Sequence, residues 1–286
     1  MKFFYWMGLG STFLIFCFAS QIGGAGVARA DQVPVQFREG SAHGLFLLRS
    51  LNGKEIGNGD LTETVDGDRV TSDMALHFND GSLYEETTVF TQGGKFRVVS
   101  YHTMQKGPSF KQAMEMTVDA EKGTVTARLT DDRGKDRVYT SQMKIPADVA
   151  NGIVPYLVKN LASGSVHSSG HSSGNSEGKT TVSMIAATPK PRLVQLTITS
   201  QGLENFAFDG SKRQATRYAV QVNLGGITGP LAKVAGKQPP DSFLWVLRSK
   251  VPMFLMAQET FAGGPVCRIE LATPLPPADQ DGKSGN

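Results

Sequence analysis

From Gly44 to Ile145, apolar and polar residues alternate with period two in short runs, and each run ends at Gly, Asn, Asp or Pro. Successive strand side chains point to opposite faces, so such runs make strands with one apolar and one wet face. This pattern leaves little room for anything but an antiparallel meander. Eight strands are expected here. Gly44–Leu51 is followed by an Asn52-Gly53 turn, a strong hairpin signal, and Glu55–Val65 ends at Asp66-Gly67-Asp68. Val70–Phe78 sets Met74, Leu76 and Phe78 against Asp73 and Asn79. Leu83–Gln92 and Phe96–Gln105 follow, then Met114, Met116 and Val118 on one face, Val125, Ala127 and Leu129 on another, and finally Val138–Ile145.

Pro146 interrupts the meander. Asp148–Leu161 reads as a helix, with Val149, Ile153, Tyr156, Leu157 and Leu161 on one side and Asp148 as cap. Pro155 argues for a kink or for a later start at Val154. Residues 162–179, ASGSVHSSGHSSGNSEGK, carry almost no apolar side chain and read as a flexible loop. Strands resume at Thr180–Ala187 and Arg192–Ser200, and Tyr218, Val220, Val222 and Leu224 alternate. After Pro239-Pro240, Trp245, Leu247 and Val251 belong to one strand, Phe254 and Met256 to the next, and Cys267, Ile269 and Leu271 to the last.

The expectation is therefore a mainly β fold: a large, strongly curved antiparallel sheet or open barrel of roughly fourteen strands. One or two short helices accompany it. A single domain over 31–273 is favoured, with two lobes, 44–161 and 180–273, as the alternative; the 274–286 tail is expected to fray.

The first thirty residues read as a signal peptide. Lys2 is the basic start, Phe3–Phe18 the apolar stretch, and Ala28-Arg29-Ala30 the cleavage signal before Asp31. Cleavage leaves 256 residues, with 27 basic against 26 acidic side chains. That balance argues against nucleic acid or an anionic membrane surface as partner. The mature chain keeps only Cys267, expected to be buried on the closing strand, so no internal disulfide can form and stability must come from the core. The expected location is the periplasm or the exterior, and the mature chain is not expected to span a membrane.

Few residues suggest catalysis. Gly170-His171-Ser172-Ser173-Gly174 matches a nucleophile elbow with Ser172 at its centre, but no apolar strand precedes it. A serine hydrolase is thus the remotest reading. His167 and His171 have the spacing for a metal on a helix, which the Ser and Gly around them oppose. His43, His77 and His102 are scattered singly, and Glu85-Glu86 points to opposite sides of a strand and reads as solvated charge. No catalytic residue, metal site or cofactor is assigned.

The apolar faces are more informative. Eight methionines remain after cleavage, and such side chains fill irregular gaps or line sites for varied apolar ligands. A broad curved sheet with few helices needs its apolar face covered by its own fold-back, a partner or a lipid. Trp245, Phe254, Met256, Met114 and Met116 are the expected lining of such a concavity.

Two stretches carry a resemblance. LNGKEIGNGDLTETVDGDRVTSDMALHF (Leu51–Phe78) looks like the opening hairpin of a group of uncharacterised exported bacterial proteins. The end, with Ala215–Tyr218, Leu244-Trp245, Val251-Pro252 and Gly263–Leu271, resembles the C-terminal part of the DUF3108 and DUF6134 families. The resemblance implies a highly curved sheet similar to periplasmic lipoprotein carriers that wrap an apolar ligand, and it implies no catalytic residues. The reading is an exported envelope protein that binds a lipid-like or other apolar molecule. Its alternative is a non-enzymatic envelope protein that docks a partner through a sheet face or edge.

Overall fold

The computed structural model describes residues 32–131, 133–161, 179–208, 211–223 and 239–272. The signal segment, His167, the Gly170–Gly174 stretch with Ser172, and the 274–286 tail lie outside the described residues. The first half is the expected meander: β1 (Ala42–Ser50), β2 (Glu55–Asp66), β3 (Arg69–Phe78), β4 (Leu83–Thr91), β5 (Arg97–Lys106), β6 (Met114–Asp119), β7 (Thr124–Thr130) and β8 (Asp136–Gln142). Helix α1 (Val154–Leu161) follows. The second half holds β9 (Lys179–Ala186), β10 (Arg192–Phe208), β11 (Ser211–Asn223), β12 (Ser242–Leu247), β13 (Met253–Thr260) and β14 (Val266–Leu271).

All fourteen strands form one antiparallel sheet, in the order β8-β7-β6-β5-β4-β3-β2-β1-β14-β13-β12-β11-β10-β9. The two meanders meet where β1 pairs with β14, Leu48 opposite Ile269 and Phe46 opposite Leu271. The sheet does not close: β8 and β9 are its edges and do not pair with each other.

Instead the sheet curls. β4 and β13 are five strand spacings apart, about 24 Å if the sheet were flat. Yet the rings of Tyr84 on β4 and Phe261, just past β13, lie 4.8 Å apart. Gly57 and Gly59 on β2 permit this curvature. A Cβ on Gly57 would stand 2.2 Å from the His77 carbonyl oxygen, and one on Gly59 2.5 Å from that of Ala75.

Two apolar clusters fill the interior. The larger joins Phe90, Val98, Met116 and Val118 of the first half to Ile198, Tyr218 and Val246 of the second, with α1 between them. The smaller joins Phe46, Leu48, Leu76 and Phe78 to Phe110, Phe261 and Ile269. α1 is held by polar contacts as well as by packing. The side-chain oxygen of Asn160 accepts from the amides of Gln36 and Phe37, both at 2.7 Å, and Lys159 pairs with Glu39 at 2.5 Å. The Tyr156 hydroxyl donates to Ser72 Oγ at 2.8 Å. The turn before α1 packs tightly on β4: Gly152 has φ +71°, and a Cβ there would fall 1.9 Å from Thr88 Oγ1.

Some details depart from expectation. The helix starts at Val154, the later of the two starts that Pro155 allowed, and Asp148 does not cap it. Asp148 Oδ2 instead accepts from the Ser183 amide, and Asn151 exchanges two hydrogen bonds with the backbone of Ile185. This segment therefore covers the edge of β9, which would otherwise present unpaired groups. Val251 is not in a strand but in an exposed bend before β13.

Candidate functional site

The inward face of β4 carries Tyr84, Glu86, Thr88 and Phe90, and the solvent face carries Glu85. The expectation that Glu85 and Glu86 face apart therefore holds, but Glu86 points into the interior and is half-buried rather than standing on the wet face. Register fixes its neighbours. Leu61, Met74, Glu86, Thr103 and Met116 stand side by side across β2 to β6, and Leu76, Tyr84, Gln105 and Met114 make the next row across β3 to β6. Tyr84 and Tyr101 both donate their hydroxyls to Oε2 of Glu86, at 2.7 and 2.9 Å. Enclosure by protein holds the Glu86 carboxyl above the usual carboxylate range, against the pull of the two hydroxyls. The same enclosure, with the Glu86 charge beside them, pushes both phenols well up, so they stay donors.

Across the interior, Glu259 lies two residues from Ala257 on the same inward face of β13, opposite Cys267 of β14. Burial raises its carboxyl to about 7, opposed by a Ser242 hydrogen bond and reinforced by repulsion from Glu86. Cys267 is fully buried, and burial together with the Glu259 charge pushes its thiol up to about 12. This is an inert thiol.

The rings of Tyr84 and Phe261 meet edge-on across the interior, and each lies two residues along the chain from one of the carboxyls; because β4 and β13 run in opposite senses, Glu86 and Glu259 stand at the same level, within reach of each other's charge. Acids and phenols thus gather beside the smaller cluster, where Phe254 joins it to the larger one. Leu61, Met74, Tyr84, Glu86, Phe254 and Glu259 all point inward, yet each is half-buried rather than sealed. At this level the inward face keeps partial contact with solvent. Its two carboxyls can accept hydrogen bonds, and apolar side chains flank them.

The five residues expected to line a concavity divide between two places. Met114 and Met116 face the interior in the rows beside Tyr84 and Glu86, and Phe254 touches both interior clusters, its ring 6.0 Å from that of Phe46. Trp245 and Met256 do not join them. On β12, Leu244 and Val246 face inward, so Trp245 faces outward, packed with Ala215, Leu255, Phe243 and Met256. There Trp245 donates to Glu204 at 2.7 Å, and the Arg217 guanidinium sits 4.1 Å over the Phe243 ring. An irregularity between Trp245 and Val246 shifts the pairing with β13, which is why Phe254 and Met256 fall on opposite sides despite their period-two spacing.

Sequence reasoning missed Glu86, Glu259, Tyr84 and Tyr101. A signal existed for Glu86, whose phase on β4 matches that of Phe90. Glu259 had none, because its nearness to Glu86 depends on the curl. No family model, curated protein or solved structure matches this chain.

Proposed function

We propose that this chain is an exported binding protein of the cell envelope whose curled sheet holds a lipid-like molecule. One observation carries the reading: Leu61, Met74 and Phe254, packed against the smaller cluster, and Glu86 beside them point inward yet keep contact with solvent, while the centres of both clusters are buried. An interior built only for stability would bury these side chains, because apolar area left in contact with water forfeits its contribution. In this reading the apolar body of the ligand lies along Leu61, Met74, Met116 and Phe254, and a hydrogen-bond-donating head meets Glu86. The export signal at residues 1–30 and the resemblance to exported carrier-like families support the location.

The test is native mass spectrometry with lipid extraction on residues 31–286, purified from the exporting host. A co-purifying amphiphile is expected, and Met74→Trp, which crowds this face, should lower its occupancy at least about tenfold without lowering Tm. A clean apo mass would favour the second reading, docking of an envelope partner. The observation behind that reading is the edge of β8, unpaired among the described residues, where Val138 is 57% exposed. Among the described residues, no helix is long and apolar enough to cross a membrane.

A further inference from the structure

Closure of the interior rests on contacts between strands that are not neighbours in the sheet. At one end they are apolar or neutral: Tyr84 on Phe261, Phe78 on Phe261 with ring centroids 6.0 Å apart, and Gln105 Nε2 donating to the Ala262 carbonyl at 2.6 Å. The Lys111 amide, in the loop after β5, donates to the Gly263 carbonyl at 2.9 Å. One step deeper, two acids stand at the same level. Neither Glu86 nor Glu259 has a cationic partner among the described residues. The groups around them are the phenols of Tyr84 on β4 and Tyr101 on β5, the hydroxyl of Ser242 on β12 and the thiol of Cys267 on β14. Tyr218 of β11 also faces the interior, and its phenol is raised to about 12 by burial. Lys159, Glu39 and Glu63 form a separate group at the α1 end.

We propose that Glu86 and Glu259 form a proton-operated clamp that holds β13 and its following turn against β4 and β5. With Glu259 protonated, the Glu86 carboxylate meets no like charge across the interior and the curl stays shut. With both carboxyls ionised, like charges in an enclosed site repel, and the neutral contacts between β4–β5 and the 261–264 turn are what gives way. Glu86 carries the charge, because two phenols donate to it. Glu259 carries the proton. The device does not depend on what the interior binds, and opening exposes the inward face at the place where β13 parts from β4.

Opening releases a proton, so it grows with pH between the ordinary carboxyl value of 4.5 and the closed-state value of about 7, and then levels off. The reporter is the Lys111 amide, whose acceptor lies across the interior. Its hydrogen exchange in the whole mature protein, followed by NMR from pH 5 to 7, is expected to quicken by close to two decades per pH unit. An amide whose opening is not linked to a proton gains about one decade per pH unit from base catalysis alone. Glu259→Gln should restore the slope of about one, and so should Glu86→Gln if the first variant fails to fold. A slope of about one in the unmodified protein, or a steep slope that survives in either folded variant, would overturn the clamp.

Discussion

Glu259 shows how one side chain can tie stability to pH. Its folded-state value of about 7 lies above the ordinary 4.5, so the folded protein binds the proton more tightly than the unfolded chain. Below about pH 4.5 both states are protonated and Glu259 exacts no penalty. As pH rises towards 7 the unfolded chain ionises freely while the folded one resists, and stability falls across that window. Glu86 and Glu63, also raised by burial, act in the same direction. Because the Glu259 carboxyl keeps some contact with solvent, its share is about 1–3 kcal/mol rather than the full shift. Glu259→Gln should therefore be more stable than the parent at pH 8 and lose much of the decline, measured by urea melts from pH 4.5 to 8. Equal slopes for parent and variant would show that Glu259 does not titrate in this window.

Among the elements, α1 is short and is held by polar anchors as well as by packing. Its eight residues could not hold a helix alone in water, so it depends on its seat in the curl. Asn160 is the anchor: 1% exposed, it accepts from two backbone amides and donates to the Phe37 and Tyr156 carbonyls. Asn160→Ala strands those amides and should cost about 2–4 kcal/mol in a chemical melt. Asn160→Asp, which keeps the acceptor, should cost less. The sequence announced the helix through its apolar spacing and Pro155. It could not announce Asn160, because the amides of Gln36 and Phe37 are more than 120 residues away.

At the scale of the whole molecule, the β1–β14 pairing makes two meanders into one sheet, and α1 and the curl place both halves in one core. Such a core should melt as a unit. Beyond residue 30 the one tryptophan is Trp245, on β12 in the second half, whereas circular dichroism reports strands throughout. The two denaturation curves should coincide, and Ile269→Ala at the β1–β14 seam should shift both together. Separate midpoints would instead mean two lobes.

The sequence by itself determined the strands, their turns and their antiparallel succession, because period-two alternation and turn residues act over a few residues. Within each strand it also set which residues share a face, and Glu86 was readable there in phase with Phe90. Only the tertiary structure decided which faces meet. The curl brings β4 to β13, the irregularity between Trp245 and Val246 sends Met256 outward while Phe254 stays in, and Glu86 and Glu259 become neighbours across an interior. The physical reason is range. Alternation is a local steric rule, whereas curvature comes from glycines without Cβ atoms, accumulated strand twist and the packing of a helix, summed over strands far apart in the chain.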